Sequence, residues 1–128
     1  PALPSFLIQK EVSESVLRHG ADYYTGTIYT TNRRVWEHDE KFKDYLSHVR
    51  AIGIDMETAT LFLTGFDNEI PKGALLLVTD QPMIPEGVKT AESDGQVNRQ
   101  FTDLHLEIGI DALVNIREKG LSVKHLRF

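Results

Sequence analysis

Apolar positions along the chain fall into alternating helical and strand-like blocks. From Phe6 to His19, Leu7 or Ile8, Val12, Val16 and Leu17 share one side, Lys10, Glu11, Glu14 and Arg18 lie elsewhere, and Gly20 stands where a helix ends. The segment Tyr23 to Thr31 is dense in aromatic and β-branched residues and predicts a strand. Asp39 to Arg50 places Phe42, Tyr45, Leu46 and Val49 at three- and four-residue spacing, a second amphipathic helix. Two short apolar runs, Ala51–Ile54 and Ala74–Val78, are continuous instead of alternating, which suits strands covered on both faces. Between them Met56, Ala59, Leu63 and Phe66 follow a helical period, so strand, helix and strand predict a parallel crossover. Asn98 to Lys119 predicts a long terminal helix stopped by Gly120. Gln81 to Gln96 holds two prolines and two glycines without periodicity, a loop length more often functional than merely connective. The expectation is one α/β domain over residues 1–128, with parallel strands covered by helices.

Composition narrows the function classes. In 128 residues there is no cysteine, which excludes disulfides and thiolate metal sites. Nineteen acidic against 14 basic side chains give a net charge of −5, the wrong sign for nonspecific binding to nucleic acid or anionic membranes. No apolar run approaches the roughly 20 residues that span a bilayer, and Pro1-Ala2-Leu3-Pro4 lacks the regions of a signal peptide, so the expected location is the cytoplasm. The five histidines show no zinc-site spacing, and neither a dinucleotide fingerprint, a P-loop nor a Gly-x-Ser-x-Gly elbow occurs; no metal or cofactor is expected.

Ligands of open parallel sheets bind outside the carboxyl ends of the strands. After Ile54 the chain reads Asp55-Met56-Glu57-Thr58, and after Val78 it reads Thr79-Asp80-Gln81-Pro82. Asp55 stands where an N-cap belongs, and Glu57 in the first helical turn either favours the helix dipole or serves the site. Asp80 is followed by Pro82 and Pro85, with no helix for it to cap, which makes it a candidate for acid/base work. Arg33 and Arg34 either grip a phosphate or are ordinary surface arginines. Trp36, the only tryptophan, either stacks on a planar ligand or packs in the core, and Lys89 either closes on an anion or is a solvated loop lysine.

The segments Tyr29–Glu37 (YTTNRRVWE), Gly53–Thr60 (GIDMETAT), Val78–Thr90 (VTDQPMIPEGVKT) and Val123–Phe128 (VKHLRF) resemble the nucleoside phosphorylase and nucleosidase superfamily, and within it the branch that cleaves AMP. The resemblance implies a three-layer nucleoside phosphorylase-like fold, with a central mixed, largely parallel sheet flanked by helices, and hydrolysis of the N-glycosidic bond of AMP. It makes Glu57 the ligand of the ribose hydroxyls, Met56 the residue packed on the sugar, and Asp80 the acid that protonates the departing purine at N7. The chemistry agrees: bond cleavage leaves an electron-rich purine and a sugar with oxocarbenium character, so a protonated carboxyl at the base and an ionised one at the ribose both help. Arg34 to Trp36 match a segment that lines the base pocket, where Val35 replaces an expected aromatic partner and leaves Trp36 to stack. Arg33, Arg34 and Lys89 are the candidates for the 5′-phosphate.

Superfamily domains are much longer than this chain, and their first half carries a glycine-rich anion loop, a phosphate-binding arginine and the base that activates water. The residues here match the C-terminal half of the catalytic domain, so the N-terminal half is expected either in the rest of a longer polypeptide, or removed by proteolysis, or on another chain, and a fragment of a complete enzyme is the favoured reading. A homo-oligomer, in particular a hexamer, is a further implication of the resemblance. The alternatives are a purine nucleoside phosphorylase or another nucleosidase, and a noncatalytic nucleotide-binding or assembly module.

Overall fold

A computed structural model describes residues 2–84, 87 and 90–122. The elements are α1 (Phe6–Arg18), β1 (Thr27–Thr30), α2 (Glu40–His48), β2 (Ala51–Asp55), α3 (Thr58–Asp67) and α4 (Ala91–Glu118). Strands β1 and β2 pair in parallel, with Ile28 opposite Gly53, Tyr29 opposite Ile54 and Thr30 opposite Asp55. The parallel crossover is therefore β1–α2–β2.

The second crossover expected from the sequence, ending in a strand at Ala74–Val78, is not formed: those residues carry no ladder. At Ala74 alone the side-chain amide of Gln9 bonds the backbone, donating to the Ala74 carbonyl at 3.0 Å and accepting the Ala74 N–H at 3.1 Å. Leu76 and Val78 remain 45% and 65% exposed, so their apolar character is not matched by a partner. Helix α4 starts at Ala91 and not at Asn98, shortening the expected loop from its C-terminal side.

The helix stops obey backbone chemistry. Gly20 (φ 69°) and Gly120 (φ 59°) end α1 and α4 in the left-handed region, each with a pair of N–H groups returned to the last turn: Gly20 to Leu17 and Ala21 to Val16, Gly120 to Arg117 and Leu121 to Ile116. Helix α3 ends the same way, with Glu69 bonded to Phe66 and Ile70 to Gly65, but the left-handed position is held by Glu69 at φ 55°. A side chain there costs about 1 kcal/mol. Glu69→Gly is therefore expected to raise the thermal midpoint, and a lower midpoint would count against that account of the α3 stop.

The chain divides into two compact units. Unit 1 comprises Pro1–Tyr24, Ala59–Leu76 and Leu104–Phe128. Within it Val16, Phe62, Ile108 and Ala112 are buried. Ser15 is fully enclosed, with its hydroxyl 2.8 Å from both the Ile108 carbonyl and Asp111 Oδ2, while buried Glu11 takes Lys119 Nζ at 2.9 Å. Burying Glu11 without that ammonium would be costly, so the pair fixes α1 against the C-terminal half of α4.

Unit 2 comprises Thr25–Thr58 and Leu77–Asp103. Its core is Trp36, Phe42 and Leu46, with Tyr29, Ala51 and Ile54 packed against them. Phe42 meets Tyr29 and Trp36 edge to face, at centroid separations of 5.6 and 6.0 Å. Asp39 caps α2 by accepting the Phe42 N–H at 3.1 Å, the duty expected of an Asp just before an amphipathic run. This core seats α2 on β1 and β2 and so fixes the ends of both strands.

Candidate active site

Parallel pairing directs the carboxyl ends of β1 and β2 to one rim. The segment leaving β1 carries Arg33, Arg34 and Trp36; the turn leaving β2 carries Met56 and Glu57. Asp80 belongs to the same unit, so every described candidate residue lies in unit 2. Lys89 and the Val123–Phe128 segment lie outside the described residues.

Asp55 is the best-anchored group of the rim. Its Oδ1 accepts the Thr30 hydroxyl at 2.6 Å; its Oδ2 accepts the Thr58 N–H at 2.8 Å and also the Thr58 hydroxyl. Capping of the following helix is thus what Asp55 does, as its position suggested. Burial works against its charge, yet the hydrogen bonds from Thr30, Thr58 and the Glu57 N–H outweigh that and hold the carboxyl below the usual aspartate range. Because the folded value lies below the unfolded one near ~3.9, this stabilisation is complete above the unfolded value and is lost as pH falls through the folded one. Thermal midpoints measured from about pH 5 downward should therefore fall less steeply for Asp55→Asn than for the unmodified protein. Equal slopes would remove Asp55 from the acid limb.

Met56 and Glu57 form the two-residue turn between Asp55 and α3. Both are exposed, Met56 at 44%, and the Glu57 carboxylate accepts the Met56 N–H at 3.2 Å. With so light a restraint, Glu57 is available to hydroxyl donors from outside the chain.

Asp80 is half-buried and accepts the Thr79 hydroxyl at 2.9 Å. Directly after it the chain closes on itself: Gln81 N–H reaches the Gly87 carbonyl at 2.8 Å, and Gly87 N–H reaches the Ile84 carbonyl at 3.0 Å. A Cβ on Gly87 would collide with the Gln81 carbonyl, so only glycine closes this loop. The loop gives Asp80 a fixed exit from the Leu77–Asp80 segment. Among the described residues no hydrogen bond or ion pair joins Asp80 to Glu57.

The remaining candidates are placed differently. Arg33 is committed in part, with Nη1 2.8 Å from Asp39 Oδ2 and the guanidinium 4.8 Å from the Phe42 ring centroid. Its half-exposed side chain still faces water. Arg34 is exposed and forms no ion pair among the described residues. Trp36 is 7% exposed and belongs to the unit 2 core, the packing role the sequence left open beside stacking. Sequence reasoning missed the two threonines that hold Asp55: Thr58, three residues after it, stands where a capping side chain is expected to find an N–H, whereas Thr30 meets it only through the strand register. It also missed Asp39 as the partner of Arg33. Among the described residues no three acidic or histidine side chains gather as a metal site would require.

Residues 1–115 match the family model of the phosphorylase superfamily. The chain belongs to the phosphorylase superfamily. Within this superfamily it is 38% identical over 102 residues to the AMP nucleosidases of Escherichia coli K12 and O157:H7, covering 75% of this chain and 20% of each relative. Among solved structures, a crystal structure of AMP nucleosidase from Bacteroides thetaiotaomicron VPI-5482 matches with a TM-score of 0.76 and 54% identity, over 93% of this chain and 46% of that one. The expected α/β, nucleoside phosphorylase-like fold is thereby established, and the chain spans a fifth of the curated relatives' length. No helix among the described residues is long and apolar enough to cross a membrane.

Proposed function

We propose that the protein hydrolyses the N-glycosidic bond of AMP to adenine and ribose 5-phosphate. The observation that carries the reading is the Met56-Glu57 turn exposed at the rim of a phosphorylase-superfamily sheet, in a chain 54% identical to a protein described as an AMP nucleosidase. In the reaction the C1′–N9 bond breaks and its electron pair passes to adenine, whose N7 takes the proton of Asp80. The oxygen of water bonds to C1′ and gives up one proton, which balances the one transferred to the base. Glu57 binds the ribose hydroxyls and places negative charge beside the oxocarbenium-like sugar, while Met56 packs on the ribose. Trp36 belongs to the base-binding segment, and Arg33, Arg34 and Lys89 are assigned to the 5′-phosphate.

We propose further, from the motifs the chain carries, that residues 1–128 are the C-terminal part of one catalytic domain whose other part supplies the base for water; coverage of 46% of the solved relative is in keeping with a partial domain. A cytoplasmic homo-oligomer, a hexamer, completes the proposal. The test is product analysis with the full-length polypeptide and AMP in phosphate-free buffer. Adenine and ribose 5-phosphate should appear at a rate that added phosphate leaves unchanged. Release that requires phosphate and yields a sugar 1-phosphate would make the protein a phosphorylase; binding of AMP without turnover would make it a noncatalytic module.

A further inference from the structure

The Asp55 carboxylate makes more bonds than a helix cap requires. Capping α3 uses Oδ2, which takes the Thr58 N–H at 2.8 Å. Oδ1 is occupied separately, by the Thr30 hydroxyl at 2.6 Å, across the β1–β2 pairing in which Thr30 and Asp55 stand opposite each other. The next residue of β1's exit, Thr31, donates its N–H to the Asp55 carbonyl at 2.8 Å. One residue is therefore tied at both its carboxylate and its carbonyl to the neighbouring strand, and at its other oxygen to the helix. Only Met56 and Glu57 lie between the two anchor points. A two-residue bridge pinned at both ends has little backbone freedom, so the point from which the lightly held Glu57 side chain projects is preset.

We infer that Thr30 is a positioning residue for the ribose grip: through Asp55 it sets where the Met56-Glu57 turn presents the Glu57 carboxylate to the sugar hydroxyls. This rests on the proposed cleavage of a ribonucleotide. Thr30 does not touch the substrate in this arrangement; its effect passes through Asp55 to Glu57. Loss of the Thr30 hydroxyl should therefore damage recognition of the ribose and leave the chemistry at the purine untouched.

The experiment compares kcat/KM for AMP and 2′-deoxyAMP in the full-length polypeptide carrying Thr30→Val, Thr30→Ser or neither. Thr30→Val removes the hydroxyl at nearly constant shape and should lower kcat/KM for AMP by about 10- to 100-fold, the scale of a displaced reacting group. The value for 2′-deoxyAMP, which offers Glu57 one hydroxyl fewer, should change much less, so discrimination between the two sugars shrinks. Thr30→Ser restores the hydroxyl and should recover most of the loss. In a Glu57→Ala background Thr30→Val should add no more than about a twofold further effect, because the two residues act in one line. If Thr30→Val does not fold, Asp55→Asn carries the same comparison. Equal losses on both substrates, or full effects in the Glu57→Ala background, would reduce Thr30 to a structural residue. Absence of turnover by the unmodified protein would instead overturn the proposed function, and this inference with it.

Discussion

Replacing Asp80 by asparagine should lower kcat for adenine release by about 10²- to 10⁴-fold, the range that a positioned general acid contributes. Asparagine keeps the size of the side chain and still accepts the Thr79 hydroxyl, which bonds Asp80 at 2.9 Å. The Gln81–Gly87 closure that follows uses backbone groups alone and is not disturbed. What the carboxamide cannot do is give N7 a proton as the C1′–N9 bond breaks. The loss should thus fall on kcat with KM little changed, the signature of an interaction made in the transition state. A control isolates the cause: a ribose 5-phosphate carrying p-nitrophenolate, which leaves without protonation, should be cleaved with a much smaller penalty. The thermal midpoint should stay close to that of the unmodified protein, since a half-buried side chain with one hydroxyl partner contributes little to folding. Adenine release at near the original rate, or equal losses on both leaving groups, would remove Asp80 from the acid role.

Much of the scaffold around that residue is legible in the sequence, for identifiable reasons. Gly20 and Gly120 mark helix ends because backbone geometry leaves so few residue types able to stand there, and both do so. Asp55 is readable in the same way, but only half of it. A cap can be inferred from position, whereas the bond from Thr30 depends on a strand register that no local pattern contains. The Ala74–Val78 run misleads because hydrophobicity argues for burial while a strand also needs a ladder partner; at its first residue the Gln9 amide, 65 residues away, bonds the Ala74 backbone instead. The start of α4 is hidden because Ala91 to Gln96 has no apolar stripe, and the helix extends there through backbone bonding without a periodic face. Trp36 illustrates a different gap. One aromatic residue serves a core or a ligand equally well, and only the packing with Phe42 and Leu46 distinguishes them.

At the other carboxylate the expected result is a different kinetic pattern. Glu57→Gln should lower kcat/KM for AMP by about 10²- to 10³-fold, as loss of one preorganised group facing developing charge does. The turn itself should survive, because the amide oxygen of glutamine can accept the Met56 N–H that Glu57 now takes at 3.2 Å, and Asp55 anchors both ends independently. Glutamine still reaches the ribose hydroxyls but carries no charge, so ground-state binding is partly kept and the oxocarbenium loses its counter-ion. Glu57→Ala removes both, and should raise KM as well as lower kcat. The order of severity, glutamine milder than alanine, follows from the hydrogen bonds to the ribose hydroxyls, which glutamine keeps and alanine loses. Substitution of Asp80, by contrast, cannot be relieved by solvent unless water itself delivers the proton. Combining Asp80→Asn with Glu57→Gln should cost less than the product of the two single losses, since a transition state deprived of its acid develops its charge differently and has less left for Glu57 to stabilise. Multiplicative losses would mean that the two carboxylates stabilise the transition state independently, and would remove the coupling expected between acid and ribose ligand.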